Sequence, residues 1–213
     1  MTPAAPIAAR LARIASGPIA LASRNPGKLA ELRQLAGSAL DLRLLGADPA
    51  PPSIDEDQDS YLGNARKKAL AIARFVGGPA LADDSGVEVD ALGGEPGVLS
   101  SRYGGAGLDD RARCARLLAA LGGTLERRAR FRCVLVLADG EDWISAEGVL
   151  EGEIAPSARG VGGFGYDPIF AVPALGGRTL GEVEPEAKSR LSHRAAAMRA
   201  LLVALGLDAP SHR

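Results

Sequence analysis

Short apolar runs that stop at turn residues alternate along this chain with stretches in which leucine and alanine recur at helical spacing. The first run, Pro18-Ile-Ala-Leu-Ala-Ser23, reaches a turn at Asn25-Pro26-Gly27, after which Leu29, Leu32, Leu35 and Ala36 share one helical face. This predicts strand, loop and helix, with Gly37 as the cap. A Pro-rich segment from Asp48 to Ser53 leads to the acidic stretch Asp55-Glu56-Asp57, and an amphipathic helix is expected from Ser60 to Val76, closed by Gly77-Gly78. Pro79 to Ala82 reads as a buried strand that runs into Asp83-Asp84-Ser85-Gly86, with Val87 and Val89 alternating beyond it. Asp109 to Leu121 is a further helix. Arg132 to Ala138 is an apolar strand whose Asp139-Gly140 turn predicts a hairpin into Trp143 to Val149. A glycine-rich loop, Gly160 to Tyr166, precedes a closing helix expected to run unbroken from Pro185 to Leu205.

A hairpin interleaved with strand-helix crossovers gives an α/β fold, a mixed twisted sheet flanked by helices. Residues 1–17 read as an N-terminal extension and residues 18–208 as the domain proper. The 213 residues, 46% hydrophobic, are enough for one core or for two lobes sharing a cleft. The net charge of −1, with signs interspersed, offers no field for nucleic acid, so a small-molecule partner is expected. The extension lacks the apolar stretch of a signal peptide, and no run nears the roughly 18 apolar residues of a membrane span. A cytoplasmic protein with no membrane partner is therefore expected. Cys114 and Cys133 lack metal-type spacing and read as buried thiols. Of 25 basic residues only four are lysines, Lys28, Lys67, Lys68 and Lys188. Where arginine otherwise supplies charge, the compact ammonium of lysine is expected at point contacts such as those with phosphate.

Four polar clusters carry the candidate chemistry. Ser23-Arg24-Asn25-Pro26-Gly27-Lys28 lies between a strand and a helix, where a helix N-terminus and a lysine together suit phosphate. It is not a Walker A loop, since Ala22 and Leu29 stand where that motif needs glycine and a hydroxyl, and a strand-to-helix turn with an incidental lysine would read the same way. Asp55 and Glu56 in a loop, with Asp83-Asp84 ending a buried strand, supply the carboxylate oxygens that Mg²⁺ prefers. The acidic loop taken alone could equally be a solvated charge run. Gly162-Gly163-Phe164-Gly165-Tyr166-Asp167-Pro168 combines close backbone approach with aromatic faces that could stack on a base or pack in a core. Lys188 with Ser192-His193-Arg194 is a donor-rich group suited to a purine edge and a phosphate, and His193 has only the tail residue His212 as a fellow histidine.

Read together, the segments SRNPGK, SYLGNARKKA, LADDSGVEVDALGGEPGVLSSRYGG, GGFGYDPIF and KSRLSHR, in this order, resemble the inosine triphosphate pyrophosphatase (Ham1) family from Ile19 to Leu205. The resemblance implies two lobes around a central nucleotide cleft and hydrolysis of non-canonical purine triphosphates (ITP, dITP, XTP) to monophosphate and pyrophosphate. It assigns Ser23, Arg24, Asn25, Pro26, Gly27 and Lys28 to the triphosphate, and Asp84 to Mg²⁺ binding and activation of the attacking water. Ser85 would contact substrate, Phe164, Gly165, Tyr166 and Asp167 would surround the base, and Lys188, His193 and Arg194 would complete the nucleotide site. Asp55 takes the position of a second metal-binding acid, with Glu56 its neighbour, and Asn64 and Lys68 turn toward the phosphates. Donors from Arg194 and the backbone would favour 6-oxo purines. The family is typically homodimeric. Arg24, Gln58 and Gly181 depart from its commoner small residue, Gly and Ala. The GGFGYDP and SHR segments separate the chain from Maf-like pyrophosphatases acting on modified pyrimidine nucleotides, and Asp84, Asp55 and Lys28 weigh against a sensor that binds nucleotide without cleaving it.

Overall fold

The computed structural model describes residues 5–23, 25–46, 50–105 and 107–207. Its elements in chain order are α1 (Ala5–Ile14), β1 (Pro18–Leu21), α2 (Pro26–Ala36), β2 (Asp41–Leu44), α3 (Tyr61–Val76), β3 (Ala80–Val89), α4 (Asp110–Leu121), β4 (Arg128–Asp139), β5 (Asp142–Ile154), β6 (Phe170–Val172), β7 (Arg178–Thr179), α5 (Pro185–Leu191) and α6 (His193–Ala204), with short 3-10 turns between. The seven strands follow the order β2-β1-β3-β4-β5-β6-β7. β1 pairs in parallel with β2 and β3, whereas β6 pairs antiparallel with β5 and β7, so the sheet is mixed. β4 and β5 are neighbours joined only by Gly140-Glu141, a connection short enough for a hairpin alone.

The chain divides into two compact units. Unit 1 comprises Met1–Asp84, Cys133–Gly148 and Arg194–Arg213. Its core gathers Ile19 and Leu21 of β1, Leu32 and Leu35 of α2, Leu135 and Leu137 of β4, and Met198, Leu201 and Leu202 of α6. Unit 2 comprises Ser85–Arg132 and Val149–His193, with a core of Val87, Val89, Leu117, Phe131, Ile154, Ile169 and Phe170.

Helix starts follow their side-chain caps. Asn25, Ser60 and Asp109 each accept a hydrogen bond from the backbone N–H three residues on, at Lys28, Gly63 and Ala112, which sets the starts of α2, α3 and α4. Three expectations change. β3 runs straight through Asp83-Asp84-Ser85-Gly86 instead of ending there, because cationic partners meet both carboxylates within the fold. β4 begins at Arg128, its arginines alternating with buried Ala129 and Phe131. The closing helix breaks at Ser192, whose extended backbone (φ −61°, ψ 153°) separates α5 from α6. Asp48, the start of the Pro-rich segment, lies outside the described residues, as do positions 1–4 and 208. No helix among the described residues is long and apolar enough to cross a membrane.

The expected extension is in part a docked helix. Leu11 and Ala15 are buried in the core of unit 1, and Arg10 pairs with Asp139, at 3.3 Å, and with Asp142. Replacing Leu11 with Ala is expected to cost about 2–5 kcal/mol of folding free energy. Urea denaturation checks this, and a loss below about 0.5 kcal/mol, the range of surface substitutions, would show that α1 is not part of the core.

Candidate active site

The pleat of β3 sends successive side chains to opposite faces, so Asp83 and Asp84 meet different partners although both are buried. Asp83 Oδ2 lies 3.0 Å from Lys28 Nζ and 3.5 Å from Arg194 Nε, and Arg194 in turn donates to Glu31 Oε2 at 3.0 Å. This network ties α2 and α6 to β3 inside unit 1. Burial alone would raise the Asp83 carboxyl, but the charges of Lys28, Arg194 and Lys68 outweigh it and hold that carboxyl well below the usual range.

Asp84 is held differently. Its Oδ2 accepts from Asn64 Nδ2 at 3.0 Å, while Asn64 Oδ1 accepts from the Gln58 N–H at 3.0 Å, so the amide cannot flip without losing a bond. Lys68, one turn after Asn64 on α3, lies 3.6 Å from Asp84 Oδ1 and donates to Glu56 Oε1. Burial is the largest influence on Asp84; with the nearby charge of Glu56 it raises the carboxyl above its ordinary value despite Lys68 and Lys28. For Lys68 burial works against the charge, yet Asp83, Asp84 and Glu56 together push its ammonium up. Two adjacent aspartates therefore carry opposite perturbations: Asp83 is held as an anion, and Asp84 has its carboxyl raised above the ordinary value.

At the start of α2, Ser23 Oγ accepts from the Asn25 N–H at 3.2 Å and Asn25 Oδ1 from the Lys28 N–H at 3.1 Å. Pro26 fills the first helical position. The positive end of the helix and the half-buried Lys28 thus belong to one rigid turn that also carries Gly27. Arg24 lies outside the described residues. Asp55 is exposed, and of the two acids weighed for a metal it is Glu56 that reaches Lys68. Among the described residues no three histidine, cysteine or acidic side chains gather as a metal site. The Gln58 departure leaves this arrangement intact, because it contributes a main-chain N–H that any residue but proline supplies.

The second group of predicted residues lies in unit 2. Buried Asp167 accepts from the Phe164 N–H at 2.8 Å and from Lys188 Nζ, which also stands 4.4 Å from the centre of the Phe164 ring. Gly163 makes this possible: its φ is +75°, and a Cβ there would lie 2.1 Å from Asp167 Oδ2. The Gly165 N–H donates to Asp110 Oδ2 at 2.7 Å, and Tyr166 is buried with its hydroxyl donating to Ser100 O at 2.9 Å, which leaves Phe164 as the half-buried ring. His193 is buried and stacked on Phe131, ring centres 4.7 Å apart. Ser85, half-buried, follows Asp84 on β3. The Gly181 departure suits close packing, since a Cβ there would fall 2.8 Å from Arg159 O.

The structure thus brings Asn64, Lys68, Glu56 and Asp84 together in unit 1, and Phe164, Asp167 and Lys188 in unit 2. Arg194, expected at the base, pairs with Glu31 and Asp83 in unit 1. Asp110 and Glu31 are members of these clusters that the sequence pattern does not single out, and Asp83, expected with Asp84 among the carboxylates for a metal, pairs instead with Lys28 and Arg194. For Asp83 the signal was available, because two adjacent acids in a buried strand must face opposite ways and each needs its own cations. Asp110 and Glu31 sit in ordinary amphipathic helices, where nothing in sequence sets them apart.

A model described as the Ham1 family matches residues 19–204. Relatives named dITP/XTP pyrophosphatase include one from Methylococcus capsulatus, 49% identical over 189 residues, covering 86% of this chain and 93% of the relative. Another, from Thermus thermophilus, is 50% identical over 190 residues and covers 87% and 90%. Among solved structures, a HAM1 protein from Coxiella burnetii superposes with a TM-score of 0.80 at 41% identity, covering 89% of this chain and 98% of that one. The Staphylococcus aureus Ham1 protein gives 0.77 at 37%, with the same coverage.

Opposite perturbations predict opposite responses to amide substitution. Because the folded Asp83 carboxyl sits below its unfolded value, its ionised form contributes stability above the ordinary carboxylate range, lost as pH falls through the folded value. Asp83→Asn removes that contribution and leaves buried cations short of a partner, an expected cost of about 3–5 kcal/mol at neutral pH. The folded Asp84 carboxyl sits above its unfolded value, so its charge opposes folding at neutral pH and Asp84→Asn is expected to leave the melting temperature unchanged or raise it. Thermal melts at pH 7 check both, and equal losses in the two variants would refute the division.

Proposed function

The chain belongs to the Ham1 family, and on that premise we propose that it hydrolyses non-canonical purine nucleoside triphosphates, ITP, dITP and XTP, to the monophosphate and pyrophosphate. The observation that carries this reading is the set Asn64, Lys68, Glu56 and Asp84, with Lys28 near enough to act on Asp84: cations for a polyphosphate together with one buried carboxyl raised above its ordinary value. The relatives named dITP/XTP pyrophosphatase supply the substrate class.

Lys28 and the first turn of α2 receive the phosphates, where helix dipole and ammonium act together. Asn64 fixes one oxygen of Asp84, and the carboxylate takes a proton from the water that attacks in line at the α-phosphate. The bond to the β-phosphate breaks and pyrophosphate departs, with Lys68 and Lys28 countering the charge that gathers on it. No covalent intermediate is required. The donor set also fits Mg²⁺: the Glu56 and Asp84 carboxylates meet at one cation, the Lys68 ammonium, and Mg²⁺ typically takes one or two carboxylates together with substrate phosphates and waters. When bound, the ion would add charge neutralisation at the phosphates.

Phe164, Lys188 and the backbone N–H groups of the glycine-rich loop are assigned to the base. With Arg194 drawn into the Asp83 network, the donors for a purine 6-oxo group come from Lys188 and this loop. Adenine presents an amino donor there, and a buried donor left unpaired can reject a substrate by roughly 10⁴ to 10⁵.

Two measurements test the reading. Pyrophosphate release with Mg²⁺ should show kcat/KM for ITP far above those for ATP and GTP, and comparable values for ITP and GTP would refute the purine preference. Asp84→Asn should lower kcat by about 10² to 10⁴ at saturating Mg²⁺. A variant that keeps more than about a tenth of the wild-type kcat would remove Asp84 from the role of base.

A further inference from the structure

Lys68 stands where a cation is needed most. Its ammonium donates to Glu56 Oε1 and lies 3.6 Å from Asp84 Oδ1, and the residue is only 9% exposed. Asn64, one turn earlier on the same helix, holds the other oxygen of Asp84, so α3 fixes both the carboxylate and its counter-charge. In a buried setting two acids this close need a positive partner, and in the nucleotide-free chain Lys68 is that partner.

The same two acids are the ones assigned above to the divalent ion. A dication at that position would face an ammonium a few ångströms away, a strong repulsion wherever water screens poorly. The acids also offer too little alone, since among the described residues no third acid, histidine or cysteine completes a cage. Nucleotide phosphates change both conditions at once: they supply the missing oxygen ligands and offer the flexible lysine a competing anion.

Resting on the reading of this cluster as a metal-nucleotide site, we propose that Lys68 is the resident counter-cation of the Glu56–Asp84 pair and is exchanged for the divalent ion only when phosphates draw it away. Metal and nucleotide then bind with strong positive coupling, and metal alone is excluded. The coupling is reciprocal: the factor by which nucleotide tightens metal binding is the factor by which metal tightens nucleotide binding.

Mn²⁺ titration of the full chain, with free ion read by electron paramagnetic resonance, tests this without turnover. Nucleotide-free wild type should bind Mn²⁺ weakly. Lys68→Met, which keeps the apolar stem and removes the charge, should bind it at least about tenfold tighter, and adding Glu56→Gln should reverse the gain. An α,β-methylene analogue of ITP should tighten Mn²⁺ binding to wild type by at least about tenfold and have a much smaller effect on Lys68→Met. Nucleotide-free wild type binding Mn²⁺ as tightly as a folded Lys68→Met would overturn the proposal. Should that variant fail to fold, an unchanged Mn²⁺ affinity of wild type with the analogue bound would overturn it as well. If the analogue does not bind at all, the functional reading falls, while the nucleotide-free comparison still decides the role of Lys68.

Discussion

Two carboxylates on neighbouring residues of a buried strand must both be compensated, and much of unit 1 is arranged to do so. Because the pleat of β3 separates Asp83 from Asp84, compensation comes from two sets of elements. α2 and α6 deliver Lys28 and Arg194 to Asp83, while α3 delivers Asn64 and Lys68 to Asp84. The unequal result has chemical consequences. Asp83, with two close cations, is an electrostatic tie between β3 and two helices; Asp84 shares its nearest cation with Glu56 and is left with a raised proton affinity. One strand thus holds two aspartates with opposite shifts, set by their surroundings and not by residue type.

The scarcity of lysine fits this pattern. Lys28, Lys68 and Lys188 each end against a buried or half-buried acid of a candidate cluster, and Lys67 alone pairs at the surface with Asp57. A compact ammonium on a flexible stem can exchange a carboxylate for a phosphate with little rearrangement, whereas a guanidinium fork is better suited to bridging two fixed acids. Arg194 does the latter between Glu31 and Asp83. In unit 2 the same economy recurs, with Asp167 fixing Lys188 while accepting the Phe164 N–H, an arrangement that depends on Gly163 having no side chain.

The break at Ser192 also bears on chemistry. An unbroken helix would have continued from Lys188 through His193 and Arg194 with about 100° of rotation per residue. The extended backbone at Ser192 ends α5, α6 starts at His193, and the division between the units falls one residue later, with Lys188 and His193 in unit 2 and Arg194 in unit 1. Serine is an ordinary interior residue of a helix by propensity, and no glycine or proline marks the position, so local pattern predicts continuity.

What the sequence determined by itself is the part governed by local physics. Caps at Asn25, Ser60 and Asp109, helical spacing and the five ordered motifs were enough for the α/β class, the family and the loops that carry the candidate chemistry, because capping and periodicity act over a few residues. Tertiary structure decided what depends on partners remote in the chain: that β3 continues through its acids, that Glu56 and not Asp55 meets Lys68, that Arg194 turns to Glu31 and Asp83, and that part of the extension docks through Leu11. Each of these turns on the free energy of burying a charge or an apolar side chain against residues from 12 to 163 positions away. Local pattern carries no record of such a pairing, because the electrostatic and packing terms exist only once the chain has closed around them.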